Sequence, residues 1–183
     1  MIVEGILPFC RTLILTHIQP NTALIDATCG NGNDTLFMCQ NTTQNETIYA
    51  FDIQTTAINN TLEKVKDFDH VKVIQQGHEH VLNHVHDPVS VAVFNLGYLP
   101  KGDKSIVTTP ETTIKAIKDI FSLLVPKGII ILVIYPGHPE GQIERDEVMQ
   151  YVKQIDQQEA HVLQYGFINQ KNNPPFIIGI EKR

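Results

Sequence analysis

Leu24-Ile-Asp-Ala-Thr-Cys-Gly-Asn-Gly-Asn-Asp-Thr35 begins as an apolar strand, enters a turn carrying Gly30 and Gly32, and continues through Leu36, Phe37 and Met38 with helical spacing. Glycine at such a turn permits positive φ and a close approach of backbone to a ligand. Outward from it, compact apolar runs recur: Thr22-Ala-Leu-Ile-Asp-Ala27, Thr47-Ile-Tyr-Ala-Phe51, Val71-Lys-Val-Ile74, Ser90-Val-Ala-Val-Phe94 and Ile129-Ile-Ile-Leu-Val-Ile134. Runs of this kind are strands covered on both faces of a parallel sheet. Between them, residues 54–68 place Ala57, Ile58, Leu62, Val65 and Phe68 on one helical stripe, and residues 110–124 do so with Ile114, Ile117, Ile120, Phe121 and Leu124. Pro110 and Glu111 suit a first helical turn. Pro126-Lys-Gly128 is expected to stop that helix and turn the chain into the fifth strand.

The tail breaks the alternation. After a polar helix at residues 142–155, His161-Val-Leu-Gln-Tyr-Gly-Phe167 and Pro175-Phe-Ile-Ile-Gly-Ile180 are separated only by the polar loop 169–173. No crossover helix fits there, so the two strands are antiparallel. The expected fold is α/β: a Rossmann-like, doubly wound sheet of seven strands, mostly parallel, with an antiparallel C-terminal strand. Residues 1–183 read as one domain, with 1–20 an N-terminal helical segment, broken near Pro8, that caps the sheet, edges the substrate site or joins a dimer interface.

Composition narrows the class. The chain has 183 residues, 42% hydrophobic and 19% charged, which excludes disordered, collagen-like and coiled-coil proteins. Gly128-Ile-Ile-Ile-Leu-Val-Ile-Tyr135 is too short to span a bilayer, so no membrane association is expected. The start, Met1-Ile-Val-Glu-Gly-Ile-Leu-Pro8, lacks the cationic opening of a signal peptide. Cys10, Cys29 and Cys39 form no C-x-x-C pair, and with an odd count a reducing cytoplasm is the expected location. A net charge of −6 excludes a surface that grips nucleic acid everywhere, though not a local basic patch.

Asp52 ends the second strand, 20 residues after Gly32, where a carboxylate accepts both hydroxyls of a ribose. Glycine turn and acid together read as an adenosine site. The dinucleotide fingerprint requires a third glycine where Thr35 stands, and Asp34 and Asp26 place negative charge where a pyrophosphate sits. A cationic sulfonium and amino group are favoured there instead, so S-adenosylmethionine is the expected cofactor.

Asp26-x-Thr-x-Gly-x-Gly32, Asp52 and the closing hairpin resemble the class I S-adenosylmethionine-dependent methyltransferases. More narrowly, the glycine stretch with Gly77-His78, Phe94-Asn-Leu-Gly-Tyr-Leu-Pro100 and Tyr135-Pro-Gly-His138 resembles the YtqB/MnmM group, long labelled rRNA methylases. The resemblance implies methylation of the 5-aminomethyl group of a wobble 2-thiouridine in tRNA, hence the anticodon stem-loop as partner. It implies that Asp26, Thr28, Gly30, Asn31, Gly32, Asn33 and Asp34 line the cofactor, with Asp52 on the ribose hydroxyls, Gln54 beside the adenosine, and Gly77, His78 and Glu79 near the adenine. Thr28 stands where the class has its first glycine.

Asn95-Leu-Gly-Tyr98 is similar to the Asn-Pro-Pro-Tyr motif of amino-group methyltransferases, with Leu96 and Gly97 in place of the prolines. By that likeness Asn95 borders the cofactor and accepts hydrogen bonds from the target amine, while Tyr98 stacks on the base. Transfer to nitrogen is an in-line displacement, so alignment is the main requirement. An aminomethyl group must also lose a proton, for which His138, Tyr98 and Asp103 are candidates. Leu96, Gly97, Tyr98, Lys101, Lys104 and Tyr135 are expected on the substrate side; Lys115, Lys118, Arg11 and Lys127 are further candidates for phosphate contact. His78-Glu-His80 and His84-Val-His86 read as a mostly solvated helix with one or two histidines lining the cofactor pocket rather than as a zinc site, and no metal is expected. Cys29 reads as a packing residue.

A catalytic domain of this size has little surface for tRNA, so a homodimer is expected. The rival readings are a methyltransferase acting on rRNA or a small amine, an NAD-dependent oxidoreductase, and a non-catalytic adenosine-ligand or RNA-binding protein.

Overall fold

The computed structural model describes residues 2–97, 108–136 and 139–183, with side chains of residues 139–141 left aside. The strand that leads into the glycine turn, β1 (Ala23–Asp26), lies third in a seven-stranded sheet. Parallel to it run β2 (Thr47–Asp52), β3 (Val71–Gln75), β4 (Val89–Leu96) and β5 (Leu124–Ile134). The last two, β6 (Ala160–Tyr165) and β7 (Phe176–Lys182), form the hairpin expected from the short loop, with β7 antiparallel to both β5 and β6. The order is β3-β2-β1-β4-β5-β7-β6, so the sheet changes direction of winding between β1 and β4. Ligands of doubly wound sheets bind outside the carboxyl ends of the strands at that switch.

β1, β2, β4, β7 and the second half of β5 are largely apolar because both faces are covered, whereas the edge strands β3 and β6 carry polar residues and are partly exposed. Successive residues alternate sides. Leu24, Ile48, Val91, Val93, Ile129, Ile131, Val133 and Ile177 pack against α1 (Ile6–His17), α2 (Asn33–Gln40) and the end of α3 (Thr55–Val65) through Cys10, Leu13, Ile14, Met38, Cys39 and Val65. On the other face Ile25, Phe51, Ala92, Phe94, Ile130, Leu132 and Ile134 meet the 3₁₀ turn His78–Asn83, α4 (Pro110–Leu123) and α5 (Pro139–Val152) through Val81, Ala116, Ile117, Ile120, Val148 and Val152. Each fully buried aliphatic side chain here contributes about 2–5 kcal/mol against its truncation to alanine.

Three local expectations are corrected. The N-terminal helix is not broken at Pro8: Gly5 caps it, Pro8 is the third helical residue, and the first ladder bond runs from the Phe9 amide to the Gly5 carbonyl at 2.9 Å. The first turn of a helix has no use for the amide hydrogen that proline lacks. Pro126-Lys-Gly128 does not precede the fifth strand but lies inside it. Leu124 already pairs with Val89, the register slips before Val91 pairs with Ile129, and Lys127 sits at φ 63°. This is a bulge, where a strand tolerates proline. The histidine-rich segment forms a 3₁₀ helix that leaves His80, Leu82 and Asn83 exposed and buries His78 and Val81, three residues apart. The fifth helix starts at Pro139 and ends at Val152, three residues earlier at both ends than its polar pattern suggests.

A candidate cofactor and amine site at the switch point

Beyond β1, the Ala27 amide donates to the Val93 carbonyl at 2.8 Å and the Cys29 amide to the Phe51 carbonyl at 2.9 Å, so the chain stays pinned between β4 and β2 as it leaves the sheet. The Gly32 amide then closes a tight turn on the Cys29 carbonyl at 2.7 Å, and the Leu36 amide begins α2 on the Gly32 carbonyl. Gly30 and Gly32 hold φ of 51° and 72°, where a side chain is strained. At Gly32 space is also short: a Cβ there would lie 2.9 Å from the Thr61 Cα, so this glycine brings the loop against α3. From α3, Thr61 donates its hydroxyl to the Gly30 carbonyl at 3.3 Å, Asn60 its amide to Asn31 Oδ1 at 3.0 Å, and Lys64 its ammonium to Asn33 Oδ1.

Three carboxylates surround this turn. Asp26 is fully buried and accepts the Thr35 hydroxyl at 2.6 Å and the Thr28 amide at 3.3 Å. Burial first, and the nearby Asp34 carboxylate second, push its pKa up to about 7 despite those donors. Asp52 is oriented by two backbone amides, Gly30 on Oδ2 at 3.0 Å and Gln54 on Oδ1 at 2.9 Å, which leaves further lone pairs on each oxygen. Asp34 accepts the Asn95 side-chain amide at 2.8 Å, and the Asn95 backbone amide donates to the Thr28 hydroxyl at 2.7 Å. Asn95 is thereby fixed at both ends, and its Oδ1 accepts nothing among the described residues.

On the opposite side of β1, His78 is buried with Nδ1 3.1 Å from the Ala27 carbonyl and its ring edge-on to Phe94. Only a protonated nitrogen pairs with a carbonyl, and burial lowers the histidine pKa, so the ring is neutral with its proton on Nδ1. Its Nε2 is then a buried acceptor without a partner among the described residues. Groups of this kind are costly unless a ligand supplies the donor.

The family model described as "Putative rRNA methylase" matches residues 48–181. The chain belongs to that family. Two solved structures agree with the architecture, and a third protein is similar in sequence. A solved structure described as a "putative rRNA-methylase" from Clostridium thermocellum is 41% identical, superposes with a TM-score of 0.97 and covers 100% of both chains. A "putative methyltransferase" from Streptococcus mutans, solved in complex with SAH, is 36% identical with a TM-score of 0.91, again over 100% of both. The Arabidopsis thaliana protein named "tRNA (mnm(5)s(2)U34)-methyltransferase, chloroplastic" is 40% identical over 144 residues, which are 72% of this chain and 53% of that protein. The chain thus spans about half the length of this curated relative. Its fold is that of the class I methyltransferases, as its sequence motifs imply.

In this member of the rRNA methylase family the structure brings Asp26, Thr28, Asp34, Asn95, Leu96 and Tyr135 together: the Tyr135 amide donates to the Leu96 carbonyl at 3.3 Å, and burial together with the Asp34 charge raises the Tyr135 phenol pKa. Gly97 follows at φ 147°, which a proline, held near −65°, cannot adopt. The turn therefore departs from the Asn-Pro-Pro-Tyr geometry that it resembles in sequence. Tyr98, Lys101, Asp103, Lys104 and His138 lie outside the described residues. Lys115 donates to the Glu79 carbonyl and pairs with Asp119, and Lys118 lies over the Tyr151 ring, so both are engaged within the fold. Arg11 stacks on Phe37, and Lys127 belongs to the bulge near the start of β5, the end of the sheet opposite the glycine turn. Cys29 is buried beside Ala50 and Ile58, and burial and Asp26 hold its thiol protonated. Among the described residues no group of His, Cys, Asp or Glu is arranged to hold a metal, and no helix is long and apolar enough to cross a membrane.

Sequence reasoning missed the Thr35 hydroxyl on Asp26 and the clamp that Asn60, Thr61 and Lys64 place over the turn. Thr35 was visible only as a departure from the dinucleotide fingerprint. Asn60 and Lys64 lie on the polar side of an amphipathic pattern, where nothing distinguishes a clamp from a solvated face, while Thr61 is fully buried beside Ala57, Ile58 and Val65 on the apolar side.

Proposed function

We propose that the protein is an S-adenosylmethionine-dependent methyltransferase acting on tRNA, methylating the 5-aminomethyl group of the wobble 2-thiouridine to 5-methylaminomethyl-2-thiouridine. The observation that carries this reading is Asn95, held through Thr28 and Asp34 at the switch point with its carbonyl oxygen free to accept from an amine. The activity for which the Arabidopsis relative is named and the SAH bound in the Streptococcus mutans protein support it.

The residues present fit the cofactor. A turn bordered by Asp26, Asp34 and Asp52 favours a cation, and repels the pyrophosphate of a dinucleotide. When bound, S-adenosylmethionine supplies an electrophilic methyl on a sulfonium. Asp52 would take the ribose hydroxyls and Gln54 the flank of the adenosine; Asn31, Asn33 and Asp34 would border the methionine and ribose. Gly77, Glu79 and the unpaired Nε2 of His78 would meet the adenine. Asp26, Thr28, Gly30 and Gly32 shape the turn. The chain's contribution to the reaction is alignment: Asn95 Oδ1 orients the amine lone pair, Tyr98 stacks on the base, and Leu96, Gly97 and Tyr135 border it. Lys101 and Lys104 would hold phosphates, and His138 is the proposed acceptor of the ammonium proton.

We also propose that the protein works as a homodimer in the cytoplasm, since one copy has little surface for an anticodon stem-loop and its three buried cysteines are unpaired. Light scattering with and without tRNA tests the assembly; a monomer of full tRNA affinity would contradict it. The activity is tested by nucleoside mass spectrometry of tRNA carrying the aminomethyl wobble base after incubation with protein and S-adenosylmethionine. One added methyl on that nucleoside is expected. Equal activity on free nucleoside or on rRNA would move the assignment to those substrates.

A further inference from the structure

The connection from β6 to β7, residues 166–175, is too short for a crossover helix yet longer than the about two to five residues that a hairpin turn uses. Because β7 is antiparallel to both of its neighbours, β6 runs with β5, and its end at Tyr165 lies at the carboxyl edge of the sheet. Asn95 pairs with Val133, Val133 with Ile177 and Ile177 with Tyr165, which sets the four on one line across the sheet. Neighbouring strands are about 4.8 Å apart, so Tyr165 stands roughly 14 Å from Asn95 along that edge. The connection is therefore continuous with the border of the amine site.

Its apolar residues do little for the core. Tyr165 is held in place: its ring stacks on Phe9 of α1 with centroids 3.9 Å apart, and its hydroxyl donates to the Glu4 carbonyl at 2.6 Å. Phe167 stands edge-on to the Tyr165 ring at 6.2 Å, half-buried, and Ile168 is fully exposed. Neither belongs to a buried cluster of the fold. Gly166 brings the chain there, since a Cβ in its place would lie 2.9 Å from the Phe176 Cβ. Apolar groups left exposed beside a site mark an interaction surface.

The polar residues decide the kind of partner. In a chain of net charge −6 this connection holds no acidic residue. Asn169, Gln170, Lys171, Asn172 and Asn173 are exposed, and Lys171 makes no hydrogen bond or ion pair among the described residues. The Glu4 carboxylate nearby accepts the Thr12 hydroxyl at 2.9 Å. Aromatic rings, side-chain amides and a cation are the groups that hold the unstacked bases and phosphates of single-stranded RNA. Contacts between identical chains are more apolar than this. A stacked strand advances about 3.4 Å per nucleotide, so about four nucleotides cover the distance from Asn95 to Tyr165.

We propose that Phe167 and Lys171 form a second RNA subsite, with Phe9 and Tyr165 as its support. A base of the tRNA loop near the wobble nucleoside stacks on Phe167 while Lys171 holds a phosphate. The identity of the RNA rests on the tRNA methyltransferase reading above.

The test compares Phe167→Ala, Phe167→Leu, Phe167→Trp and Lys171→Ala with the unaltered full chain. Fluorescence anisotropy, with SAH present, follows a labelled RNA hairpin with a single-stranded loop and a blunt duplex of the same stem. Steady-state methyl transfer to tRNA gives kcat and KM, and calorimetry gives SAH affinity. Phe167→Ala is expected to weaken hairpin binding and raise KM about 5- to 150-fold, the loss of one base–aromatic stack, with kcat and SAH affinity within about twofold. Phe167→Trp keeps a π face and stays within about threefold of the unaltered protein, whereas Phe167→Leu keeps only apolar bulk and is impaired like Phe167→Ala. Lys171→Ala lowers the slope of log Kd against log salt by about 0.7, one phosphate contact on a single strand. The subsite is overturned if the unaltered chain does not bind the hairpin, or if Phe167→Ala binds it within about twofold of the unaltered chain. It is also overturned if Phe167→Leu matches Phe167→Trp, or if Phe167→Ala loses as much affinity for the blunt duplex. A fall in the RNA-free molar mass of Phe167→Ala, by light scattering, would make the patch a contact between copies and overturn it too. Hairpin binding that depends on Phe167, in a protein that methylates no tRNA, supports the subsite and counts against the methyltransferase reading alone.

Discussion

Replacing Thr35 by valine removes the strongest donor to Asp26 while nearly preserving shape. Thr35 is fully buried and its hydroxyl lies 2.6 Å from Asp26 Oδ2. A hydrogen bond to a charged carboxylate is worth about 1.5–3 kcal/mol, and one to the neutral acid about 1 kcal/mol. Which value applies depends on pH. The folded pKa of Asp26, about 7, lies above its ordinary 3.8, so the folded protein holds a proton that the unfolded chain has released across that interval. Asp26 therefore costs stability as pH rises from 3.8 to about 7, and above that the two states titrate alike. In Thr35→Val the folded pKa moves higher still, which extends the loss to higher pH. The expected destabilisation is about 1 kcal/mol near pH 5.5, where the acid is neutral, and about 2 kcal/mol near pH 8.5, where the wild-type group is ionised. Urea unfolding followed by far-UV circular dichroism at the two pH values measures it. Equal destabilisation at both, or more at the lower pH, would refute the charged state assigned to Asp26.

Gly32→Ala combines positive φ with a Cβ 2.9 Å from the Thr61 backbone, so it should cost about 2–4 kcal/mol, read as a fall in urea midpoint; a loss below about 0.5 kcal/mol would contradict the close approach of α3. Ionised Asp26 favours a cation, so S-adenosylmethionine should bind more tightly as pH rises toward about 7 and level off above it. Calorimetry should find a weaker trend for SAH, whose sulfur is neutral, and identical trends would contradict the electrostatic fit. Lys64→Ala removes the ammonium from Asn33 and should weaken SAH binding about two- to tenfold through loss of the clamp on the turn, with a melting temperature nearly unchanged.

Much of this architecture is legible in the residues because each feature has a local cause. Ile130, Leu132 and Ile134 face one layer of helices and Ile129, Ile131 and Val133 the other, so β5 is apolar without interruption from Ile129 to Ile134 and reads there as a buried parallel strand. The short polar loop before β7 leaves no geometry but a hairpin; it turns through Asn172 and Asn173 at positive φ. Gly30 and Gly32 mark the tight turn after β1 through conformational freedom, and Asp52 at the end of β2 lies within hydrogen-bond reach of it. The illegible features depend on partners distant in sequence. The hydroxyl of Thr61 reaches a carbonyl 31 residues away, and Glu144 reaches threonines 31 and 36 residues away, separations on which periodicity is silent. Pro8 and Pro126 mislead for a related reason: whether a proline breaks an element depends on the first turn or bulge in which it sits, and that is decided by the packing of α1 and the register of β5 against β4.

The central claim is that Asn95 presents its carbonyl to the amine of a tRNA wobble nucleoside beside a bound S-adenosylmethionine. Nucleoside mass spectrometry of wild type and Asn95→Ala on the same aminomethyl-bearing tRNA, with SAH affinity measured in parallel, tests it most directly. Wild type should add one methyl to the wobble nucleoside. Asn95→Ala should lose about 100-fold or more in turnover while keeping SAH affinity within about tenfold, because an alignment contact is removed and most of the cofactor contacts are kept. A fully active Asn95→Ala protein, or a wild type that binds SAH yet leaves the nucleoside unmethylated, would contradict it.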